Sequence, residues 1–154
     1  MTDTQAARQT HEFIAFIVRN QEFCIDIRSI REIRGWTHAT RLPHVPGYVV
    51  GVINLRGTIL PIFDVAQRFG MEPATSETQN VIIVTNVGSR TVGLLVDSVS
   101  DILHVESAQI RDLPDVESDL ARDFLKQVIL HDNRIICEVM LEKVVESDLL
   151  EVAA

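Results

Sequence analysis

The sequence predicts an all-β protein, built as a barrel or a sandwich. About ten short apolar runs of strand length recur along the chain, with turn residues between most of them. Hydrophobic residues make up 46% of the 154 residues but aromatic residues only 5%, so aliphatic side chains must fill the core. The polar residues 71–80 indicate a boundary between two small barrels that share this core.

The first two strands follow a polar segment. Residues 1–11 lack the apolar centre of a secretory signal, and we expect a flexible tail on a cytoplasmic protein. Residues 13–18 form a continuous apolar run, which is typical of a strand buried on both faces. Residues 23–28 alternate between apolar and mostly polar side chains, which is the period of a half-buried strand.

A short helix is predicted next. Ile27, Ile30 and Ile33 recur at intervals of three, which favours one or two helical turns, and Gly35 is expected to end them. Residues 41–48 contain two prolines and a glycine and predict a loop.

A hairpin over residues 49–64 is the most informative part of the chain. Two apolar strands flank a polar turn that carries Arg56 near its tip. Because arginine disfavours positive φ, we expect a type II turn with Gly57 third, or a longer loop that begins at Asn54, rather than a type I′ turn. A short helix over residues 65–69 should follow.

The second half repeats the pattern of strands. Five strand-like segments lie at residues 81–87, 91–96, 99–105, 127–130 and 134–141. Residues 142–151 predict an amphipathic C-terminal helix. We therefore expect a single domain over residues 12–154, with one subdomain at about 12–70 plus the C-terminal helix and a second at about 80–141.

Composition and charge exclude several partners. The net charge of −8 argues against nucleic acid, whose phosphates require a positive surface. No apolar run approaches the roughly 20 residues of a membrane span, so direct membrane insertion is not expected. Residues 19–41 hold five arginines and three acidic residues, whereas residues 97–119 hold seven acidic residues and one arginine. This asymmetry is typical either of complementary docking patches or of a solvated surface.

Nothing in the sequence indicates catalysis, a metal or a cofactor. No two of the five histidines lie three or four residues apart, and none is spaced from a cysteine as a zinc ligand would be. The glycines are scattered at turns, without a phosphate-binding loop. Cys24 and Cys137 lie in apolar runs and are predicted to be buried free thiols, with a disulfide or redox pair as the alternative.

Recognition is the remaining interpretation. Arg56 is either a solvated turn residue or a group held out for a partner's carboxylate. Glu32 is expected on the short helix, opposite Ile30 and Ile33, and we hypothesise that Glu32 and Arg56 approach each other or bind one partner jointly. Ile30 and Ile33 either belong to the core or line an apolar groove that accepts a partner helix.

These residues fall within a recognisable pattern. EIRG at residues 32–35, GVINLRG at 51–57, ILPIFD at 59–64 and GLLVDSVSDIL at 93–103 resemble, in this order, the signatures of the CheW family of chemotaxis coupling proteins. The likeness extends over nearly the whole chain, from about residue 13 to residue 150.

The resemblance implies two intertwined five-stranded SH3-like barrels. It also implies a non-enzymatic adaptor that links the cytoplasmic helical tips of transmembrane chemoreceptors to the regulatory domain of the histidine kinase CheA. The adaptor would be cytoplasmic and recruited to membrane-associated receptor arrays.

Particular residues match the family's binding surfaces. The positions that resemble the receptor groove and its rim are Ile30, Glu32, Ile33, Arg56 and Val99. The positions that resemble a contact with the kinase are Arg111 and Val116, although many members carry a larger aromatic residue in place of Val116.

Two alternatives stay open. The same fold occurs in CheA itself and in the front half of CheV, but this chain has no room for an ATP-binding or phosphate-receiver domain. A coupling module of a different receptor–kinase pathway, in motility or development, is the second reading. A small-ligand-binding barrel or an enzyme is the third, and nothing in the sequence supports it.

Overall fold

Alternation of apolar and polar side chains produces the strands that dominate this protein. The computed structural model describes residues 10–72, 79–114 and 123–145. The strands in this part of the chain are β1 (Thr10–Val18), β2 (Gln21–Asp26), β3 (Ile30–Gly35), β4 (Val49–Leu55), β5 (Thr58–Asp64), β6 (Val81–Val87), β7 (Arg90–Val96), β8 (Ser98–Glu106), β9 (Ile110–Arg111), β10 (Leu125–His131) and β11 (Arg134–Val139).

Helical elements that lie wholly within the described residues are single turns. Ile27–Ser29 and Ser107–Gln109 are 3₁₀ turns, and α1 (Val65–Arg68) and α2 (Leu141–Val144) are α-helical. In the described ranges, no helix has the length and apolar character needed to cross a membrane.

The strands form two sheets that interlock. The first has the order β8-β1-β2-β11-β10-β9 and the second the order β3-β6-β7-β5-β4. Parallel pairing of β2 with β11, and of β5 with β7, joins strands that are remote in sequence. The predicted all-β class is confirmed, with a sixth, two-residue strand added to the first sheet. Both sheets contain strands from either side of residues 71–80.

One apolar cluster unites the two sheets. Phe16 and Phe23 enter it from the first sheet, and Phe63 and Leu94 enter it from the second. All four are at most 4% exposed, and full burial of a side chain of this kind contributes about 1.5–3 kcal/mol relative to exposure. Each sheet also has its own smaller cluster. The expectation of a shared core is therefore confirmed.

The second sheet is closed by the loop that follows β3. Thr40 and Val52 exchange two backbone hydrogen bonds of 2.8 Å, which cover the edge of β4. Gly51 makes this close approach possible, because a Cβ at its position would lie 2.3 Å from the carbonyl oxygen of Thr40. The contact brings the two outer strands of the sheet, β3 and β4, toward each other.

The helix predicted around Ile27, Ile30 and Ile33 is wrong beyond its first turn. Asp26 caps the 3₁₀ turn by accepting a hydrogen bond of 2.8 Å from the backbone N–H of Arg28, and β3 begins at Ile30. The pairing of β3 with β6 shifts register between Ile30 and Glu32. Ile27 lies in the 3₁₀ turn, and along β3 burial alternates, with Ile30 half-buried and Ile33 exposed, so the interval of three does not mark one apolar face.

The predicted turn between β4 and β5 is also wrong. Arg56 and Gly57 form a two-residue turn in which both have positive φ, 50° and 89°, which is the pattern of a type I′ turn. A type I′ turn matches the right-handed twist of the flanking strands, and this tertiary preference outweighs the reluctance of arginine. The Asn54 side chain supports the turn, because its Oδ1 accepts a hydrogen bond of 2.8 Å from the N–H of Gly57.

Near both chain ends, the described residues differ from the boundaries predicted for the tail and the C-terminal helix. Thr10 and His11, which the prediction included in a tail over residues 1–11, belong to β1. The helix predicted for residues 142–151 begins at Leu141, and α2 extends to Val144. Its predicted continuation from residue 146, and the predicted tail over residues 1–9, lie outside the described residues.

The two cysteines are free thiols. Cys24 is buried in the cluster of the first sheet, where burial raises the pKa of its thiol, whereas Cys137 packs against the shared cluster. The two side chains therefore face different parts of the core, which disfavours the alternative of a redox pair. Cys137 is only partly buried, in contrast to the prediction of two buried thiols.

Candidate functional site

Glu32 and Arg56 meet on the surface of the second sheet. Glu32 lies on β3, at one edge of the sheet order, and Arg56 lies in the turn that leads out of β4, at the other edge. The Nη2 group of Arg56 donates a hydrogen bond to Oε2 of Glu32. The hypothesis that the two residues approach each other is confirmed, although Glu32 reaches Arg56 from a strand and not from a helix.

A third residue, Arg34, completes the arrangement. Its Nη1 donates a hydrogen bond of 3.2 Å to Oε1 of Glu32, so each carboxylate oxygen has its own guanidinium partner. The hydrogen bond from Arg56, and secondarily that from Arg34, lowers the pKa of the Glu32 carboxyl. Two cations and one anion leave this cluster with one net positive charge. We call Glu32, Arg34 and Arg56 the charged triad.

Arg56 is both exposed and strained. Its side chain is 66% accessible, and its φ of 50° lies in the left-handed region, which costs a residue with a Cβ about 1–2 kcal/mol. Asparagine or glycine would occupy this turn position with less strain. Strain that persists at an exposed position is typical of functional sites, where the side chain rather than the backbone is needed.

The three apolar candidates differ in exposure. Ile33 is 43% exposed, whereas Ile30 and Val99 are partly buried and pack against the shared cluster. Ile30 and Ile33 lie on β3 beside Glu32, but Val99 lies on β8 in the other sheet. The structure therefore places four of the five candidate receptor residues on or beside the closed second sheet, and the fifth where the shared cluster meets the first sheet.

The candidate kinase residues lie elsewhere. Arg111 is exposed on β9, at the outer edge of the first sheet, and its Nε donates a hydrogen bond of 3.0 Å to the carbonyl oxygen of Ala108. Val116 lies outside the described residues. Arg111 and the charged triad thus belong to different sheets, as two separate binding surfaces would require.

Arg34 and Asn54 are the residues of this site that sequence reasoning missed. Residues two apart on a strand share a face, so assigning β3 as a strand would have placed Arg34 beside Glu32. The prediction of a helix concealed this relationship. The role of Asn54 follows only from a two-residue turn between β4 and β5, and a different turn was predicted from the sequence.

The geometry offers recognition rather than chemistry. Among residues 10–72, 79–114 and 123–145, no three histidine, cysteine, aspartate or glutamate side chains group in a way that could hold a metal ion. The charged triad consists of ions paired with one another at the surface. Its guanidinium groups suit carboxylates of a partner protein.

Comparisons with known proteins identify chains that are similar over most of their length. A family model for the CheW-like domain matches residues 12–149. The chemotaxis protein CheW of Rhizobium meliloti is 53% identical over 142 residues, which cover 92% of either chain. The chemotaxis protein CheW of Klebsiella aerogenes is 38% identical over 137 residues, 89% of this chain and 82% of that protein.

A solved structure has the same fold. The crystal structure of the scaffolding protein TtCheW from Thermoanaerobacter tengcongensis superposes with a TM-score of 0.84, covering 91% of this chain and 95% of that one. At 24% identity this likeness concerns the fold alone. The family match over residues 12–149 and the identity to these two relatives show that this chain belongs to the family of CheW-like domains.

Proposed function

We propose that this protein is a non-enzymatic adaptor that couples chemoreceptors to the histidine kinase CheA in bacterial chemotaxis. The observation that carries the proposal is the 53% identity to a chemotaxis protein CheW along nearly the full length of both chains. The exposed charged triad supports a docking role, because it provides a charged surface without the groups of a catalyst.

The receptor surface consists of Glu32, Arg56, Ile30, Ile33 and Val99. Ile33 is exposed between Glu32 and Arg34 on β3 and projects from the opposite face of the strand. The edge strand thus carries both apolar and charged side chains, a combination that suits an amphipathic helix. Ile30 and Val99 support this surface from below, since both pack against the shared cluster. A helical receptor tip is the partner that fits this combination.

The kinase surface includes Arg111 and Val116. The exposed guanidinium of Arg111 supports this assignment, and its position on the other sheet leaves the receptor surface free. An adaptor needs two surfaces that can be occupied at the same time. The protein would work in the cytoplasm and join membrane-associated arrays through its partners.

Paired variants test the two surfaces separately. R56E should abolish capture of a receptor cytoplasmic fragment in a pull-down while leaving capture of the CheA regulatory domain intact, and R111E should do the reverse. R31E is the matched control, because Arg31 is an exposed arginine on β3 outside the triad. If wild-type protein captures neither partner, the proposal is wrong.

The alternative is a coupling module for another receptor–kinase pathway. Deletion of the gene separates the two: loss of chemotaxis with normal motility supports the first proposal. Normal chemotaxis with altered motility or development supports the second.

A further inference from the structure

We propose that Arg34 is a positioning residue: it holds one oxygen of Glu32 so that the other oxygen orients the guanidinium of Arg56 toward a docking partner. The inference rests on the proposed function for the identity of the partner. It assigns to Arg34 a role that acts through Glu32 and needs no contact with the receptor.

The backbone gives Arg34 and Glu32 a fixed relation. Both lie on β3, where hydrogen bonding to β6 sets Glu32 opposite Val84 and Arg34 opposite Ile82. Residues two apart on a strand project from the same face, so the two side chains run alongside each other. The resulting hydrogen bond, from Nη1 of Arg34 to Oε1 of Glu32, measures 3.2 Å.

Arg34 is held more firmly than an ordinary surface arginine. Its side chain is 37% accessible, against 66% for Arg56 and 85% for Arg28. Its Nε is buried and has no hydrogen-bond partner among the described residues, so the stem lies against the protein rather than in water. Only the tip of the guanidinium reaches Glu32, which makes this contact the polar anchor of the side chain.

Occupation of Oε1 by Arg34 limits the hydrogen bonds that Arg56 can donate to Glu32. A free carboxylate would accept two parallel hydrogen bonds from one guanidinium, in the bidentate geometry that arginine favours. With Oε1 engaged by Arg34, Arg56 reaches only Oε2, through Nη2. In the described ranges no other nitrogen of Arg56 has a protein partner, so donors of its five-donor fork are left for a second molecule.

The charge of the triad agrees with this role. Without Arg34, Glu32 and Arg56 would neutralise each other, whereas with Arg34 the cluster keeps one net positive charge. Arg34 also contributes to the lowered pKa of the Glu32 carboxyl, second to Arg56. Arg34 therefore favours the ionised form of Glu32 and at the same time leaves Arg56 electrostatically available.

Nuclear magnetic resonance tests the positioning on the full chain, without any partner. In R34Q, the carboxyl of Glu32 should titrate at a higher pH than in the wild type, and the Nε–Hε signal of Arg56 should shift. R31Q removes the same charge from the same strand and should change neither. In an E32Q background, R34Q should leave the Arg56 signal unmoved, because the intermediary is gone.

Binding then tests the consequence. R34Q should weaken capture of a receptor cytoplasmic fragment by about tenfold, as expected for one member of a coupled ion-pair network, with partial rescue by R34K. R31Q should bind like the wild type. Amide spectra of each variant establish that the fold is retained.

The outcomes separate the positioning role of Arg34 from the proposed function of the protein. An unchanged Glu32 titration in R34Q overturns the positioning role, and so does an Arg56 shift that persists in E32Q. A loss of binding in R34Q without any change at Arg56 also overturns it, since Arg34 would then act on the partner directly. Failure of the wild type to bind the fragment overturns the proposed function, and the titration still decides the role of Arg34.

Discussion

The hydrogen bond between Arg56 and Glu32 joins the two outer strands of the five-stranded sheet. It lies on the same sheet as the backbone pair of Thr40 and Val52, which covers the edge of β4. The pair thus belongs to the closure of the sheet, and Arg56 is also the most exposed residue of the proposed receptor surface. Substitutions can separate stability from recognition here, because stability depends on the backbone of the turn and recognition on the guanidinium of Arg56.

Arg56→Asn should separate the two roles. Asparagine tolerates positive φ, so R56N relieves about 1 kcal/mol of turn strain while it removes the guanidinium. We expect a thermal midpoint equal to or above that of the wild type, and loss of receptor-fragment binding. Calorimetry and a binding titration measure the two effects.

Gly57→Ala is the complementary variant. It adds a Cβ at φ 89° where no heavy atom lies within 4 Å, so it strains the backbone and keeps the arginine. It should lower the midpoint and retain more binding than R56N. If R56N binds the fragment as well as the wild type, Arg56 is a solvated turn residue and no recognition group.

The ion pairs of Glu32 predict a dependence of stability on pH. Because Arg56 and Arg34 lower the pKa of this carboxyl in the folded state, ionised Glu32 stabilises the fold at pH values above its unfolded pKa of about 4.3. That contribution is lost as the pH falls through the lower, folded pKa. The stability difference between the wild type and E32Q should therefore shrink from about pH 7 toward about pH 3. A difference that stays constant in urea titrations over this range would contradict it.

Glu138 should make stability depend on pH in the opposite direction. Its carboxyl is 6% exposed on β11, and burial raises its pKa despite a hydrogen bond of 2.7 Å from Gln127. Above the raised pKa the fold holds a buried anion, so stability falls as the pH rises from about 4.3 through that value. E138Q should be more stable than the wild type at neutral pH, with a gain that fades in acid.

Glu142→Gln is the control for Glu138. It removes the same charge from an exposed position on α2 and should leave the midpoint nearly unchanged. Equal effects of E138Q and E142Q at neutral pH would mean that net charge, and not burial, governs the result.

Gly51→Ala tests the closure of the second sheet. Its Cβ would lie 2.3 Å from the backbone oxygen of Thr40, at a φ of 153° that side chains rarely adopt. We expect a loss of about 2 kcal/mol or more in the free energy of unfolding, measured by urea denaturation. Gly35→Ala, where no atom lies within 4 Å, should be close to neutral. If G51A and G35A both lower the free energy of unfolding only slightly, the close approach of Thr40 to β4 is not needed for stability.

Local sequence patterns predicted most of the strands, because side chains of period two report directly on a half-buried surface. They failed at β3, where isoleucines three apart resembled a helical face although Ile30 is half-buried and Ile33 is exposed on a strand. The turn at Arg56 was misjudged for a related reason, since strand twist and the Asn54 side chain decide its type. Pairing of β2 with β11 joins residues that are more than a hundred positions apart, and no local pattern reveals it.

The candidate site was likewise only partly predictable from the sequence. The approach of Glu32 to Arg56 was anticipated from an unusual exposed charge between apolar strands. Arg34 was missed because the error in secondary structure hid the shared face. The receptor and kinase roles, including those of Arg111 and Val116, stay predictions until binding is measured.

Co-sedimentation with receptor-bearing vesicles tests the adaptor role most directly. CheA is mixed with vesicles that carry the chemoreceptor, with no adaptor, with wild-type protein, or with R56E. We predict that CheA sediments with the vesicles only in the presence of the wild type, and that R56E leaves it in the supernatant. Equal recovery of CheA with and without this protein would contradict the account.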